Sequence, residues 1–129
     1  MSGETDLATM LATLRIQRRP GTFAYVSLPE VPADVTPEAT VVETEGVTVV
    51  VPAELAKSRG WDVAFEGAWL TLELHSALEA VGLTAAFSRA LGDAVIPCNV
   101  LAGTYHDHIL VPADRADEAI TALENLRGS

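Results

Sequence analysis

Two short stretches, VVPAELA at residues 50–56 and LVPADRA at residues 110–116, repeat one pattern at two places in the chain. In each, an apolar, strand-like run ends at a proline, and an acidic residue follows the alanine after it. Proline suits the first turn of a helix because it has no N–H to leave unpaired, and an acid there faces the positive end of the helix dipole. Both stretches are therefore predicted to be junctions that lead from a strand into a helix.

The elements predicted around the two junctions recur in a related order. Hydrophobic spacing and turn residues define them. The first half has a helix over residues 5–15, a strand over 22–28, two short strands or one bulged strand over 40–51, and a helix from Pro52 to Gly60. The second half has a strand over 68–75, a helix through Leu83, Phe87 and Leu91, strands over 95–102 and 105–111, and a helix after Pro112.

This order predicts an α+β fold of two ferredoxin-like βαββαβ units, with antiparallel sheets and helices packed on one face. The boundary between the units is predicted between residues 66 and 67, which gives halves of 1–66 and 67–129. The first unit is expected to lack its opening strand and the second its closing strand. Each half would then supply an edge to the other, so separate folding of the halves is not expected.

Composition indicates the cellular compartment of the protein and excludes some classes of binding partner. The chain has 129 residues, eighteen acids against eight bases, and a formal net charge of −10, which disfavours nucleic acid and anionic membranes as partners. No apolar run has the roughly 20 residues that span a bilayer. The N-terminus does not resemble a signal peptide, and a single cysteine, Cys98, suits a reducing compartment, so a cytoplasmic location is expected. The cluster Arg15, Arg18 and Arg19 is predicted to end the first helix.

No pattern of catalytic residues is evident. The acidic residues of the strands are dispersed, and Cys98 is predicted to be a buried thiol beside Asn99 on a central strand. The chain contains neither of the glycine-rich phosphate-binding motifs G-x-x-x-x-G-K and G-x-G-x-x-G, and no cofactor is expected. The chain is therefore predicted not to be an enzyme.

Residues 68–126, with LHSALEAVGLTAAFSRAL, VIPCNVLAGTYHDHILVP and ADEAITAL, resemble an ACT domain. The full chain is similar to small stand-alone bacterial proteins with two ACT-like halves, although the first half matches only in outline, through EGVTVVVP. The resemblance implies a regulatory module that binds a small molecule, often an amino acid, and it brings no catalytic residues. By position it implicates Val81, Gly82 and Leu83 in a loop, and Asn99 on the following strand.

The residue types at that site suit an amino acid. Gly82 is predicted to precede a helix that starts at Leu83-Thr84, where free backbone N–H groups hold a carboxylate. Asn99 offers both a donor and an acceptor. We expect a homodimer, since an exposed sheet edge favours side-by-side pairing. The alternative is a module that binds no ligand and acts on a partner enzyme.

The histidines allow a further alternative. In GTYHDHILVP, residues 103–112, His106 and His108 are predicted to share one strand face, while Asp107 points to the other. His75 is expected to end the neighbouring strand close to them. Two or three histidines on one surface are a workable zinc site, but no fourth ligand is evident. We expect a polar patch beside the ligand site, and a histidine metal site remains the less favoured hypothesis.

Overall fold

The computed structural model describes residues 8–74 and 80–128. The strands are β1 (Arg15–Arg18), β2 (Phe23–Leu28), β3 (Ala39–Val42), β4 (Val47–Pro52), β5 (Phe65–Glu73), β6 (Asn99–Ala102) and β7 (Asp107–Pro112). The helices are α1 (residues 8–11), α2 (Ala53–Ser58), α3 (Ala80–Asp93) and α4 (Ala116–Glu124), with short 3₁₀ segments at Ala113–Arg115 and Asn125–Gly128. None of the helices in the described part of the chain combines the length and the apolar character needed to cross a membrane.

The chain divides into two compact units. The continuous unit is Pro20–Ala68, and the discontinuous unit combines the residues up to Arg19 with those from Trp69 onward. The chain passes from one unit to the other within β5. The α+β fold class and the tandem ferredoxin-like arrangement are confirmed. The sequence boundary between residues 66 and 67 stays a prediction.

The continuous unit has the strand order β3-β4-β2-β5, and its neighbouring strands are antiparallel. This is the order of a βαββαβ unit in which β2 opens the sheet, so the expectation that this half lacks an opening strand was wrong. Its first helix is absent instead: residues 29–38 contain three prolines and form no helix. Proline removes a helical hydrogen bond, which accounts for the irregular path.

The core of the continuous unit consists of small apolar side chains from the sheet, from α2 and from the segment between β2 and β3. Its buried members are Ala24, Val26, Val35, Val49, Val51 and Ala56. Pro52 caps the start of α2, and Gly60, with φ of +67°, lies just beyond its end. The strand-to-helix junction predicted at residues 50–56 is therefore confirmed.

The discontinuous unit has the order β6-β7-β5-β1. This is again a βαββαβ unit, whose chain order is β5, α3, β6, β7, α4 and then β1 from the other end of the sequence. The second half does lack a closing strand of its own, and β1 takes that place. Arg15 lies opposite Glu73, and Arg18 lies opposite Leu70.

The arginine cluster is the clearest failure of the sequence prediction. We predicted a helix over residues 5–15 that ends at Arg15, Arg18 and Arg19, but α1 ends at Leu11 and Arg15–Arg18 is a strand. The segment has weak strand character by itself. Its conformation comes from the ladder with β5, a contact between distant parts of the chain, and tertiary pairing routinely overrides local propensity.

Helix α3 and the last helix cover the discontinuous unit's core. α3 packs against α4. The core's most deeply buried residues are Leu14 before β1, Leu70 and Leu72 on β5, Phe87 and Leu91 on α3, Ile109 and Val111 on β7, and Ala119 and Leu123 on α4. All are at most 1% exposed, as expected for the apolar face of a two-layer fold.

Candidate functional site

The predicted ligand residues at Val81, Gly82 and Leu83 lie inside a helix. We expected a loop that ends at Gly82, but α3 starts at Ala80, so Gly82 lies in its first turn. Leu83 is 6% exposed, and its side chain belongs to the core. The polar groups that this turn can offer to a ligand are therefore those of its backbone. The first N–H groups of a helix have no partner within it. The role of these three residues in ligand binding stays a prediction.

Asn99 is the first residue of β6 and is exposed. We predicted a central strand over residues 95–102, but β6 is an edge strand that covers only Asn99–Ala102. Val95 has φ of +58°, which is incompatible with a strand, and Cys98 precedes β6. Burial raises the pKa of the Cys98 thiol, which fits a structural thiol. At an edge, the Asn99 amide is free to meet a ligand or a second chain.

The hairpin of β6 and β7 places Asn99 near His108. Asn99 lies opposite Leu110, and Leu101 lies opposite His108. Residues opposite one another share a sheet face, and so do residues two apart on one strand. Asn99 and His108 are therefore diagonal neighbours on one face of the hairpin. His75, the third predicted neighbour, lies outside the described residues.

His108 is held by two side chains of β5, Trp69 and Thr71. The indole N–H of Trp69 donates a hydrogen bond to His108 Nδ1 at 3.2 Å, and Thr71 Oγ1 lies 3.0 Å from the same nitrogen. An indole N–H can only donate, so Nδ1 must accept and the neutral imidazole carries its proton on Nε2. We call Trp69, Thr71, His106 and His108 the Trp–His cluster.

The surroundings keep His108 neutral. Burial lowers the pKa of His108, and the charges of His106 and Arg19 lower it further, against the opposing effect of Asp107. The Arg19 guanidinium carbon lies 4.7 Å from the centre of the Trp69 ring, in a cation–π contact. The Trp69 and His108 rings are 5.5 Å apart between centroids.

Gly103 allows the hairpin to close over His108. A side chain at this position would place its Cβ 3.2 Å from His108 Nε2 and 3.0 Å from the His106 carbonyl oxygen. The Gly103 N–H donates to that carbonyl at 2.9 Å, which closes the hairpin. The absence of a side chain therefore permits the contact between the loop and the imidazole.

His106 has an unused polar atom. Its Nδ1 is buried and has no hydrogen-bond partner among the described residues, and its ring lies 6.5 Å from that of His108, nearly perpendicular to it. A buried polar atom without a partner is costly, so a ligand or water that reaches it would be stabilised there.

The metal hypothesis finds no support in the described part of the chain. No group of three or more histidine, cysteine, aspartate or glutamate side chains within residues 8–74 and 80–128 is arranged to hold an ion. His108 Nδ1 is already occupied by Trp69. A site that includes His75 would involve a residue outside the described ranges.

A second location, in the continuous unit, was not predicted from the sequence. It is a groove of about 630 Å³ lined by Thr22, Ala53, Glu54, Lys57, Gly60, Trp61, Asp62, Val63 and Glu66. Thr22 Oγ1 donates to Glu66 at 2.7 Å. Three acids face a single lysine, which disfavours a carboxylate ligand in this groove. Its residues come from α2, from β5 and from the segments that precede β2 and β5, so no local pattern identifies it.

Sequence and structure comparisons identify the family. Two models of the ACT domain match the chain, one over residues 2–67 and the other over residues 64–125. The chain belongs to the ACT domain family. The resemblance predicted for the second half is confirmed, and the first half also matches an ACT domain. No curated protein sequence matches this ACT-domain chain.

Solved structures with the same fold cover nearly the whole ACT-domain chain. A Vibrio cholerae protein of unknown function, described as a possible transport protein, is 36% identical, and the match covers 98% of this chain and 99% of that one with a TM-score of 0.88. An Agrobacterium tumefaciens protein is 16% identical over 88% of this chain and 89% of that one, with a TM-score of 0.71. The regulatory subunit of aspartate kinase from Thermus flavus is 10% identical over 88% and 96%, with a TM-score of 0.61. The last two likenesses concern the fold.

Proposed function

We propose that this protein is a non-catalytic regulatory module that binds a small molecule of the amino-acid class. The observation that carries the proposal is the pair of ACT domains, each built as a complete four-stranded unit. The same tandem fold covers 96% of the regulatory subunit of aspartate kinase from Thermus flavus. A pair of such units is suited to sensing a ligand and passing the signal to a partner.

The proposed ligand site is formed by the first turn of α3 and by Asn99. Val81, Gly82 and Leu83 would contribute backbone groups, and Gly82 permits close approach because it has no side chain. The Asn99 amide would bind both the carboxylate and the ammonium group of an amino acid. His106 Nδ1, buried and unpaired among the described residues, would offer a further polar contact.

We further propose a cytoplasmic homodimer. β3 and β6 are edge strands, and the β3 side chains Val41 and Val42 are 50% and 83% exposed. Exposed apolar residues on an edge favour pairing with another strand. The same edge supports the second candidate, a module that binds a partner enzyme without any ligand, since a partner can add a strand there.

A thermal-shift screen against the twenty amino acids tests the proposal. At a ligand concentration of about 100 times Kd, binding should add roughly 2.7 kcal/mol to the free energy of unfolding. We expect a rise of several degrees in Tm with one amino acid or a small group of them. The rise should be lost in Gly82→Val and Asn99→Ala, and kept in the control Val100→Ala, which changes the neighbour of Asn99 on the opposite face.

Two other outcomes would count against this proposal. No shift with any amino acid would remove that ligand class and favour the partner-binding module. A shift that survives both Gly82→Val and Asn99→Ala would place the ligand elsewhere.

A further inference from the structure

The Trp–His cluster contains a hydrogen bond that only one protonation state of His108 can make. Trp69 Nε1 approaches His108 Nδ1 to 3.2 Å, and an indole nitrogen has a hydrogen to donate and no acceptor to offer. If Nδ1 acquires a proton, two hydrogens point at each other and the bond is lost. Thr71 behaves differently, because its hydroxyl can turn and accept from a protonated Nδ1.

The change of hydrogen-bond partner at His108 involves two neighbouring strands of the discontinuous unit. Trp69 and Thr71 lie on β5 and His108 lies on β7, and these strands are neighbours in the sheet. Trp69 is 6% exposed and Thr71 is 9% exposed, so a lost hydrogen bond is not replaced easily by water. Gly103, whose Cβ would lie 3.2 Å from His108 Nε2, shows that the loop is closely packed on the other side of the ring.

We propose that His108 is a proton-operated switch: protonation transfers its Nδ1 from accepting the Trp69 indole N–H to donating to Thr71, and so releases Trp69 and weakens the contact between β5 and β7. The proposal does not rest on amino-acid binding. No other reactant is required, since the proton comes from solvent and adds to the Nδ1 lone pair.

The groups whose charge bears on His108 come from two parts of the unit. His106 and Asp107 precede it along the chain, and Arg19 acts from the segment after β1. β5 contributes Trp69 and Thr71, and the opposite strand β6 contributes Leu101, none of which carries a charge. His106 and Arg19 oppose protonation of His108 in the folded state, whereas Asp107 favours it.

The sign of the pH effect follows from this environment. The pKa of His108 is lower in the folded chain than in the unfolded chain, so the unfolded state binds more protons in the window below about pH 6.5. The stability from the neutral imidazole is complete above that pH. This stability is lost as the pH falls toward the folded-state pKa of His108. Because one proton is taken up, the unfolding equilibrium constant should rise by at most about tenfold per pH unit.

Trp69 itself reports the switch. The chain has two tryptophans, so the variant Trp61→Phe leaves Trp69 as the sole indole. As the pH falls from 8 to the acid limit of the folded state, we expect a reversible, single-proton change in its fluorescence, together with the loss of stability given above. His108→Asn keeps an acceptor near the Nδ1 position without the titration, and both changes should disappear in that variant.

His106→Asn is the matched control. It removes a group whose charge opposes protonation of His108, so the fluorescence transition should remain and move to higher pH. A transition that persists unchanged in His108→Asn would overturn the proposal. So would a Trp69 signal that stays constant from pH 8 to the acid limit of the folded state.

A direct measurement on the unmodified chain guards against a variant that fails to fold. In an NMR titration, the imidazole of His108 and the indole N–H of Trp69 should shift with a common midpoint below pH 6.5. Separate midpoints, or an indole N–H that does not respond, would show that His108 does not control Trp69.

Discussion

Replacing Phe87 with alanine is expected to lower the free energy of unfolding by about 3–5 kcal/mol. Phe87 lies on α3 and has an exposed fraction of 0%. Truncation removes the apolar contacts of the ring and leaves a cavity, because the close-packed surroundings relax only in part. Urea denaturation followed by circular dichroism measures the change.

Ser88→Ala is the control for this prediction. Ser88 follows Phe87 on the same helix but is exposed, and its substitution should change the stability by no more than about 0.5 kcal/mol. If Phe87→Ala cost less than about 1 kcal/mol, α3 would not be seated on the core as described. Equal effects of the two variants would contradict the assignment of the buried face.

Gly46→Ala is expected to lower the free energy of unfolding by about 1–3 kcal/mol. Gly46 lies between β3 and β4 with φ of +156°, and a Cβ there would lie 2.8 Å from the backbone oxygen of Leu28. A backbone atom of a paired strand cannot move aside as a flexible side chain can, so the hairpin must distort. Chemical denaturation at neutral pH provides the measurement.

The same substitution at Gly92 should act in the opposite direction. Gly92 lies in α3, and a Cβ there meets no atom within 4 Å. Alanine reduces the freedom of the unfolded chain and favours the helix, so Gly92→Ala should raise the stability by up to about 1 kcal/mol. A loss of stability in Gly92→Ala, or no loss in Gly46→Ala, would contradict the backbone geometry at that position.

Local patterns predicted most of the elements. Alternation of apolar residues identified β2, β5 and β7, and the proline-led junctions identified α2 and the segment that starts α4. The two strands around Glu45-Gly46 were also predicted correctly, and the bulged single strand was not found. These features depend on side chains within one or two turns of each other, which is the range over which periodicity and turn chemistry act.

The failures share a physical cause. Arg15–Arg18 was predicted as the end of a helix, and Asn99 was placed on a central strand. In both cases the position in the sheet depends on which distant strand lies alongside. That choice depends on burial and pairing across the whole fold, which a window of local sequence does not contain.

The candidate site was predicted in part. Asn99, His106 and His108 do lie on one hairpin, and their spacing along the chain was sufficient to indicate this. The groove beside Trp61 and the partners of His108 were missed. Strand alternation places Trp69 and Thr71 on one face of β5, but it carries no information on which residue faces them.

The sequence by itself determined that this protein has two βαββαβ-type repeats and in which part of the chain most of their elements lie. Tertiary structure decided that β1 closes the sheet of the discontinuous unit and that β2 opens the other. It also decided that His108 accepts from Trp69 and is therefore neutral. Helices and turns are specified by neighbours in the chain, whereas strand pairing and the protonation state of a half-buried imidazole depend on neighbours in space.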